Sequence, residues 1–181
     1  MFFLLYESPG FSTVLIELNL KGTFRVARAC ARPMVEQGRG SIILMSSMRA
    51  VNVEPGQSIY ASTKAGIGQL TRGIAVELGP FGVRVNALAP GIVATPLTRP
   101  ITSNPTWNEA YAKRTALGRW AEPEEMAGPI MFLVGREQLS HRYHDLCRCR
   151  LDSDRRALRA AVEVVTHLPV IPRNVATRNP L

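Results

Sequence analysis

Apolar residues recur at helical spacing over residues 13–37, where Val14, Leu15, Leu18, Phe24, Val26 and Ala29 form the face expected to turn inward. Gly38 and Gly40 close this segment, and Pro33 is expected to weaken its last turns because it removes a backbone donor. Next comes Ser41-Ile42-Ile43-Leu44-Met45-Ser46, a short apolar run between a glycine turn and a polar loop, which predicts a strand covered on both faces. From Ser58 to Leu78 the spacing of Ile67, Leu70, Ile74 and Leu78 predicts a second helix, with Ser58 as its cap and Gly79-Pro80 as its stop. Val83–Ala89 then reads as another strand, so strand, helix and strand make one βαβ unit of a parallel sheet. In such a unit the carboxyl ends of both strands open into one crevice, here bordered by Ser47 onward and by Pro90-Gly91 onward. Asn104–Arg119 looks like a polar, mobile helical excursion. Pro123-Glu124-Glu125 starts a final helix running to about Val134, with Pro in its first turn and acids near its positive end.

Composition adds little to this picture but removes some functions from it. With 46% hydrophobic and 20% charged residues, the 181-residue chain has enough apolar content for one compact domain. A formal net charge of +8 raises the question of nucleic acid or an anionic membrane. The chain holds three lysines and no Lys/Arg-rich run in its body, so a solvated basic surface is expected and no nucleic-acid partner. Met1–Tyr6 is apolar, but Glu7 stops it far short of the roughly 20 residues that span a bilayer, so no membrane partner is expected. Cys30, Cys147 and Cys149 cannot all pair, and the last two are too close together, which favours a reducing cytoplasm.

Beyond Val134 the character changes. Residues 135–181 hold all three histidines, nine arginines and no lysine, with weak apolar periodicity. They are treated as a basic tail, irregular or weakly helical, distinct from the unit in residues 1–134; translation in a shifted reading frame would produce such a tail. His141, His144, Cys147 and Cys149 are chemically competent zinc ligands, but they crowd into nine residues without the wider loop of common zinc modules. An incidental cluster is expected, and no metal site.

The chemistry concentrates at the crevice. Tyr60 and Lys64 stand four apart at the start of the strong helix, so their side chains share one face. An ammonium beside a phenol favours the ionised form, which makes the pair a candidate acid–base unit. Tyr-x-x-x-Lys is a weak signal alone, and its bland reading is an ordinary surface pair. Its company strengthens it: Ser47 ends the first strand thirteen residues before Tyr60, and Asn19 lies twenty-eight residues before Ser47. A carbonyl oxygen held between the Ser47 hydroxyl and the Tyr60 phenol is the arrangement this spacing implies. Arg49, close by, is expected to be a solvated loop charge, with substrate contact as the alternative, and the Thr98–Trp107 segment is a second candidate for that contact.

These residues resemble the short-chain dehydrogenase/reductase family. The resemblance rests on Asn19-Leu20-Lys21-Gly22-Thr23-Phe24, Ser46-Ser47, Tyr60-Ala61-Ser62-Thr63-Lys64-Ala65-Gly66, the Pro90-Gly91 segment and Arg119–Ala127, and covers about residues 12–134. It implies an α/β fold of the Rossmann-like, doubly wound parallel type and NAD(P)-dependent interconversion of an alcohol and a ketone. In that scheme Tyr60 is the acid–base, Lys64 favours its ionised form and binds the nicotinamide ribose, Ser47 polarises the substrate carbonyl, and Asn19 holds a water of the proton relay. Pro90, Gly91, Val93 and Thr95 border the nicotinamide. The family also implies a homo-oligomer formed through helices 13–37 and 59–78.

Two departures accompany the match. The family's N-terminal βαβ units, with their Gly-rich phosphate turn and the residue that selects NAD or NADP, have no counterpart before Asn19, and no Gly-x-x-x-Gly-x-Gly pattern occurs. After Val134 the last strand of the family is replaced by the basic tail. The fold expected is therefore partial, and two functions compete: an oxidoreductase acting on a small alcohol or carbonyl compound, and a non-catalytic remnant or interaction module unable to bind the cofactor. For the isolated polypeptide the second is favoured. Sugar acids, other polyols, steroids and acyl thioesters are all open as substrates.

Overall fold

The computed structural model describes residues 10–135. A continuous helical rod opens it: α1 (Phe11–Leu15), a π-helical stretch (Ile16–Gly22) and α2 (Thr23–Glu36). Strand β1 (Gly40–Met45) leads through a 3-10 turn at Met48–Ala50 to the long helix α3 (Ser58–Leu78) and then to β2 (Val83–Leu88). Two short helices, α4 (Arg99–Thr102) and α5 (Pro105–Ala112), precede a 3-10 turn at Pro123–Met126 and α6 (Ala127–Val134).

The strands pair in parallel, from Gly40 opposite Val83 to Met45 opposite Leu88, and form a two-stranded sheet among the described residues. Their side chains alternate across the sheet. Ile42, Leu44, Val83 and Val85 meet Ile67 of α3 and Ala27 and Ala31 of α2, and this is the main core. Ile67 is fully buried, and removing such a side chain from water contributes about 1.5–3 kcal/mol. The opposite face receives α6: the Ser41 hydroxyl donates to the Leu133 carbonyl at 3.1 Å. From the neighbouring position on β2, Arg84 donates to the carbonyls of Leu133, Val134 and Gly135 at 2.8–3.0 Å. A cation at that helix end satisfies carbonyls that have no partner inside the helix. Helices thus flank both faces, as the βαβ pattern predicts, although Ile43 is half-buried and Met45 exposed where both-face coverage is expected.

Three local expectations need correction. The face of the first helix assigned inward is largely solvated: Val14 is 62% exposed, Leu18 70% and Val26 64%, and Phe24 and Ala29 are exposed as well. Ala27, Ala31 and the partly buried Leu20, Met34 and Val35 pack on the core instead. The π-helical stretch breaks the 3.6-residue phase on which that assignment rests, and small alanines let α2 approach the sheet closely. Secondly, Ser58 does not cap α3; Gln57 is the N-cap, without a side-chain bond, and Ser58 is the first helical residue. Thirdly, Pro33 does not loosen the end of α2, which runs to Glu36 with the Gln37 amide donating to the Pro33 carbonyl at 3.0 Å. So close to the C-terminus, proline removes a single bond. The tail, with His141, His144, Cys147 and Cys149, lies outside the described residues.

The turn into β2 depends on Gly82, whose φ of +74° lies in the left-handed region and whose Cα faces the Gly38 carbonyl oxygen so closely that an added Cβ would collide with it. Gly82→Ala is expected to destabilise the fold by about 1–3 kcal/mol. By contrast, Gly68→Ala adds a methyl to open space inside α3 and should be neutral or stabilising by up to about 1 kcal/mol. Urea denaturation of both variants checks this, and an unchanged midpoint for Gly82→Ala would contradict it.

Candidate active site

The backbone pairing of β1 and β2 continues past their carboxyl ends. Ser46 N–H donates to the Leu88 carbonyl at 2.7 Å and Met48 N–H to the Pro90 carbonyl at 2.9 Å, which sets Ser47 beside the Pro90-Gly91 segment. The first turns of α3 are fastened to the same place: the Ser46 hydroxyl donates to the Lys64 carbonyl at 2.7 Å, and Lys64 Nζ donates to the Met45 carbonyl at 3.0 Å. A cavity of about 400 Å³ opens there, with Ser47, Arg49, Tyr60, Gly91, Val93 and Trp120 among its lining residues.

Within it, Ser47 is buried and its Oγ accepts from the Arg49 N–H at 3.2 Å. The acceptor side being engaged, the hydroxyl proton is the group Ser47 has to offer a carbonyl oxygen. Lys64 Nζ lies 5.7 Å from the centre of the Tyr60 ring, so one helical turn does bring the ammonium and the phenol side together. Burial pushes the Lys64 ammonium below the ordinary lysine value. Asn19 sits in the π-helical stretch, a distortion often found at functional positions. Its Nδ2 donates to the Thr63 hydroxyl at 3.2 Å, and Thr63 donates in turn to the Tyr60 carbonyl at 2.8 Å.

The second half of the wall involves groups that no short-range spacing joins. Arg49 is 8% exposed and forms an ion pair with Glu54. The other Glu54 oxygen accepts from the Tyr111 hydroxyl at 2.8 Å and lies 3.6 Å from Arg114. The expected solvated loop charge is therefore a buried one, because Glu54 folds back beneath it. Removing one member of such a pair alone costs about 3–5 kcal/mol, since it strands the other in a low dielectric. Trp120 stacks near Tyr111, ring centres 5.8 Å apart, and its indole N–H is buried without a partner among the described residues.

A family model described as enoyl-(acyl carrier protein) reductase matches residues 6–140. The chain is 36% identical over 122 residues to gluconate 5-dehydrogenase of Gluconobacter oxydans, a match covering 67% of this chain and 48% of that protein. With L-rhamnose 1-dehydrogenase (NAD(P)(+)) of Azotobacter vinelandii it shares 43% identity over 117 residues, 64% of this chain and 46% of the other. Among solved structures, a gluconate 5-dehydrogenase from Burkholderia cenocepacia in complex with NADP and tartrate superposes with a TM-score of 0.71 at 34% identity, covering 73% of this chain and 52% of that one. The chain belongs to the short-chain dehydrogenase/reductase family. It spans about half the length of the relatives it matches.

Of the residues assigned from the sequence of this short-chain dehydrogenase/reductase, Ser47, Tyr60, Gly91 and Val93 line the cavity. Lys64 and Asn19 are not lining residues; Lys64 lies beside the Tyr60 ring, and Asn19 is linked through Thr63 to the Tyr60 carbonyl. Pro90 contributes its carbonyl to Met48, and the Thr95 hydroxyl is engaged with Thr98 in a reciprocal cap of the Pro96–Thr98 turn. From the Thr98–Trp107 segment, Thr98 and Ile101 line the wall while Trp107 is exposed. Glu54, Tyr111 and Trp120 went unassigned, for no short-range spacing joins them; the Arg119-Trp120 match alone pointed to the last.

Glu125 holds the Trp120 segment in place: its carboxylate accepts from Arg119 at 2.7 and 2.8 Å and from the Glu122 N–H at 2.7 Å, and Arg119 also donates to the Trp120 carbonyl. The Arg119 guanidinium holds the Glu125 carboxyl at about 2, down from 4.5. A carboxyl depressed on folding contributes stability that is complete above about 4.5 and vanishes as pH falls towards 2. Glu125→Gln is therefore expected to narrow its stability deficit across that window, and a deficit constant with pH in urea titrations would overturn the assignment.

Proposed function

We propose that this chain carries the catalytic half of an NAD- or NADP-dependent oxidoreductase that interconverts a small-molecule alcohol and its ketone. The carrying observation is that the Ser47 hydroxyl and the Tyr60 phenol line one cavity at the carboxyl ends of two parallel strands, with the Lys64 ammonium fastened beside Tyr60. Family membership and the NADP bound by the Burkholderia relative support it. Gly91 adds no side chain to the wall opposite, which leaves the backbone of that turn open to a flat ring. Gly91, Val93 and Tyr60 would hold the nicotinamide end of a cofactor, which when bound would take up or supply the hydride. A cradle for its pyrophosphate is not formed by the described residues.

In the oxidative direction Tyr60 takes the hydroxyl proton as the C–H hydride leaves, and in reduction it returns that proton to the carbonyl oxygen. Ser47 donates to the same oxygen and stabilises the charge that develops on it. Lys64 holds a positive charge beside the phenol, and its anchorage to the Met45 carbonyl keeps it there without reorganisation. Asn19, through Thr63, steadies the backbone of Tyr60 and is the residue assigned to the relay water.

Association is proposed through the same two helices that carry the site, because Val14, Leu18 and Val26 on one and Val76 on the other are exposed apolar residues. A monomer by light scattering at micromolar concentration would remove that part of the reading. The exposed, free thiol of Cys30 fits a reducing compartment such as the cytoplasm.

Titration of the purified chain with NADH and NADPH, followed by carbonyl turnover, tests the main proposal. Saturable binding with turnover is expected, and Tyr60→Phe should lower kcat by about 10²–10⁴-fold with an unchanged circular dichroism spectrum. Absence of cofactor binding would favour the alternative, a non-catalytic chain or interaction module.

A further inference from the structure

Among the described residues that line the cavity, Arg49 carries the one charged side chain; the rest of the wall is apolar, as at Met48, Ile92 and Ile101, or neutral and polar. Behind it the charges do not balance. Glu54 pairs with the buried Arg49 and, at 3.6 Å, with Arg114, whose side chain is 61% exposed and screened by solvent, and its remaining hydrogen bond comes from the neutral Tyr111 hydroxyl. Lys64 adds a further positive charge beside Tyr60. Burial lowers the Arg49 pKa, but a guanidinium starts so high that it stays protonated. Arg49 and Lys64 together outweigh the one buried carboxylate, Glu54, so the cavity meets its occupant with positive charge in excess in a largely apolar lining, where a complementary anion is favoured.

Geometry narrows the occupant further. A guanidinium presents five N–H donors in a planar fork that matches a carboxylate. Glu54, which is not among the lining residues, engages Nη2 of Arg49, which is, so the fork is held by a buried partner rather than left to wander. Ser47, two residues earlier in the same turn, and Tyr60 line the cavity at the reacting end.

We propose that the substrate is a hydroxy or oxo carboxylic acid with an apolar body, its carboxylate held by Arg49 and its alcohol or ketone carbon presented to Ser47 and Tyr60. The reacting end of this assignment rests on the oxidoreductase reading, whereas the carboxylate end rests on the charge of the wall. Glu54 is a positioning residue that acts through Arg49.

Calorimetry with 4-oxocyclohexanecarboxylate and its neutral isostere 4-oxocyclohexanecarboxamide tests the proposal without added cofactor. The carboxylate is expected to bind at least about ten-fold more tightly than the amide. Arg49→Lys should keep part of that preference. The paired change Arg49→Met with Glu54→Gln, which leaves no buried carboxylate stranded, should abolish it with a thermal melt showing the fold retained. Equal binding of the two probes, binding of neither, or a preference that survives the paired change would each overturn the assignment. Turnover with NADPH separates this from the broader reading: reduction of both probes alike keeps the oxidoreductase and removes the carboxylate site, while a carboxylate preference without any reduction keeps the site and removes hydride transfer.

Discussion

Six backbone pairs between Gly40–Met45 and Val83–Leu88 hold the two strands parallel, and two more amide-to-carbonyl bonds, from Ser46 to Leu88 and from Met48 to Pro90, carry the pairing beyond the sheet. The first wall of the cavity is placed by that register. A slip of one residue would turn either Ile42 and Leu44 or Val83 and Val85 away from α3 and expose the core, so hydrophobic burial locks the alignment of the two strands. Because the strands run the same way, their carboxyl ends coincide, and Ser47 and Gly91 become neighbours although forty-odd residues separate them.

Helix α3 then ties packing to chemistry. Its middle, around Ile67 and Thr71, is buried against the sheet, while its first turns bear Tyr60 and Lys64. Two polar bonds, Ser46 to the Lys64 carbonyl and Lys64 to the Met45 carbonyl, fix that end against β1. A charged donor in a partly dry setting makes a stronger bond than a neutral one, so the lysine is a structural clamp as well as a neighbour of the phenol. The π-helical stretch serves from the other side, bringing Asn19 to Thr63 without a break in the rod that contains it.

On the far wall the controlling feature is a buried charge. Arg49, Glu54, Tyr111 and Arg114 connect the loop after β1 to the excursion between β2 and α6, and the network fixes the cavity's second side through electrostatics rather than through a shared sheet.

Much of the first wall was legible in the sequence. The apolar runs at 41–46 and 83–89 and the spacing of Ile67, Leu70, Ile74 and Leu78 specify a βαβ unit, because strand and helix periods are local properties of the chain. A four-residue separation on a helix is likewise enough to pair Tyr60 with Lys64, and a residue that follows a parallel strand is bound to face the crevice, as Ser47 does. What the periodicity could not deliver was the inward face of residues 13–37, since a π-helical stretch shifts the phase and the choice of Ala27 and Ala31 over Val14 and Leu18 depends on how closely another layer approaches. Nor could it show that Arg49 is buried against a Glu54 that also accepts from Tyr111, because a loop charge looks the same in sequence whether water or a carboxylate surrounds it. Sequence determined the elements and the pairing of Tyr60 with Lys64, whose geometry is short-range; tertiary structure alone decided which faces meet and which charges leave water, for those depend on residues brought together across the fold.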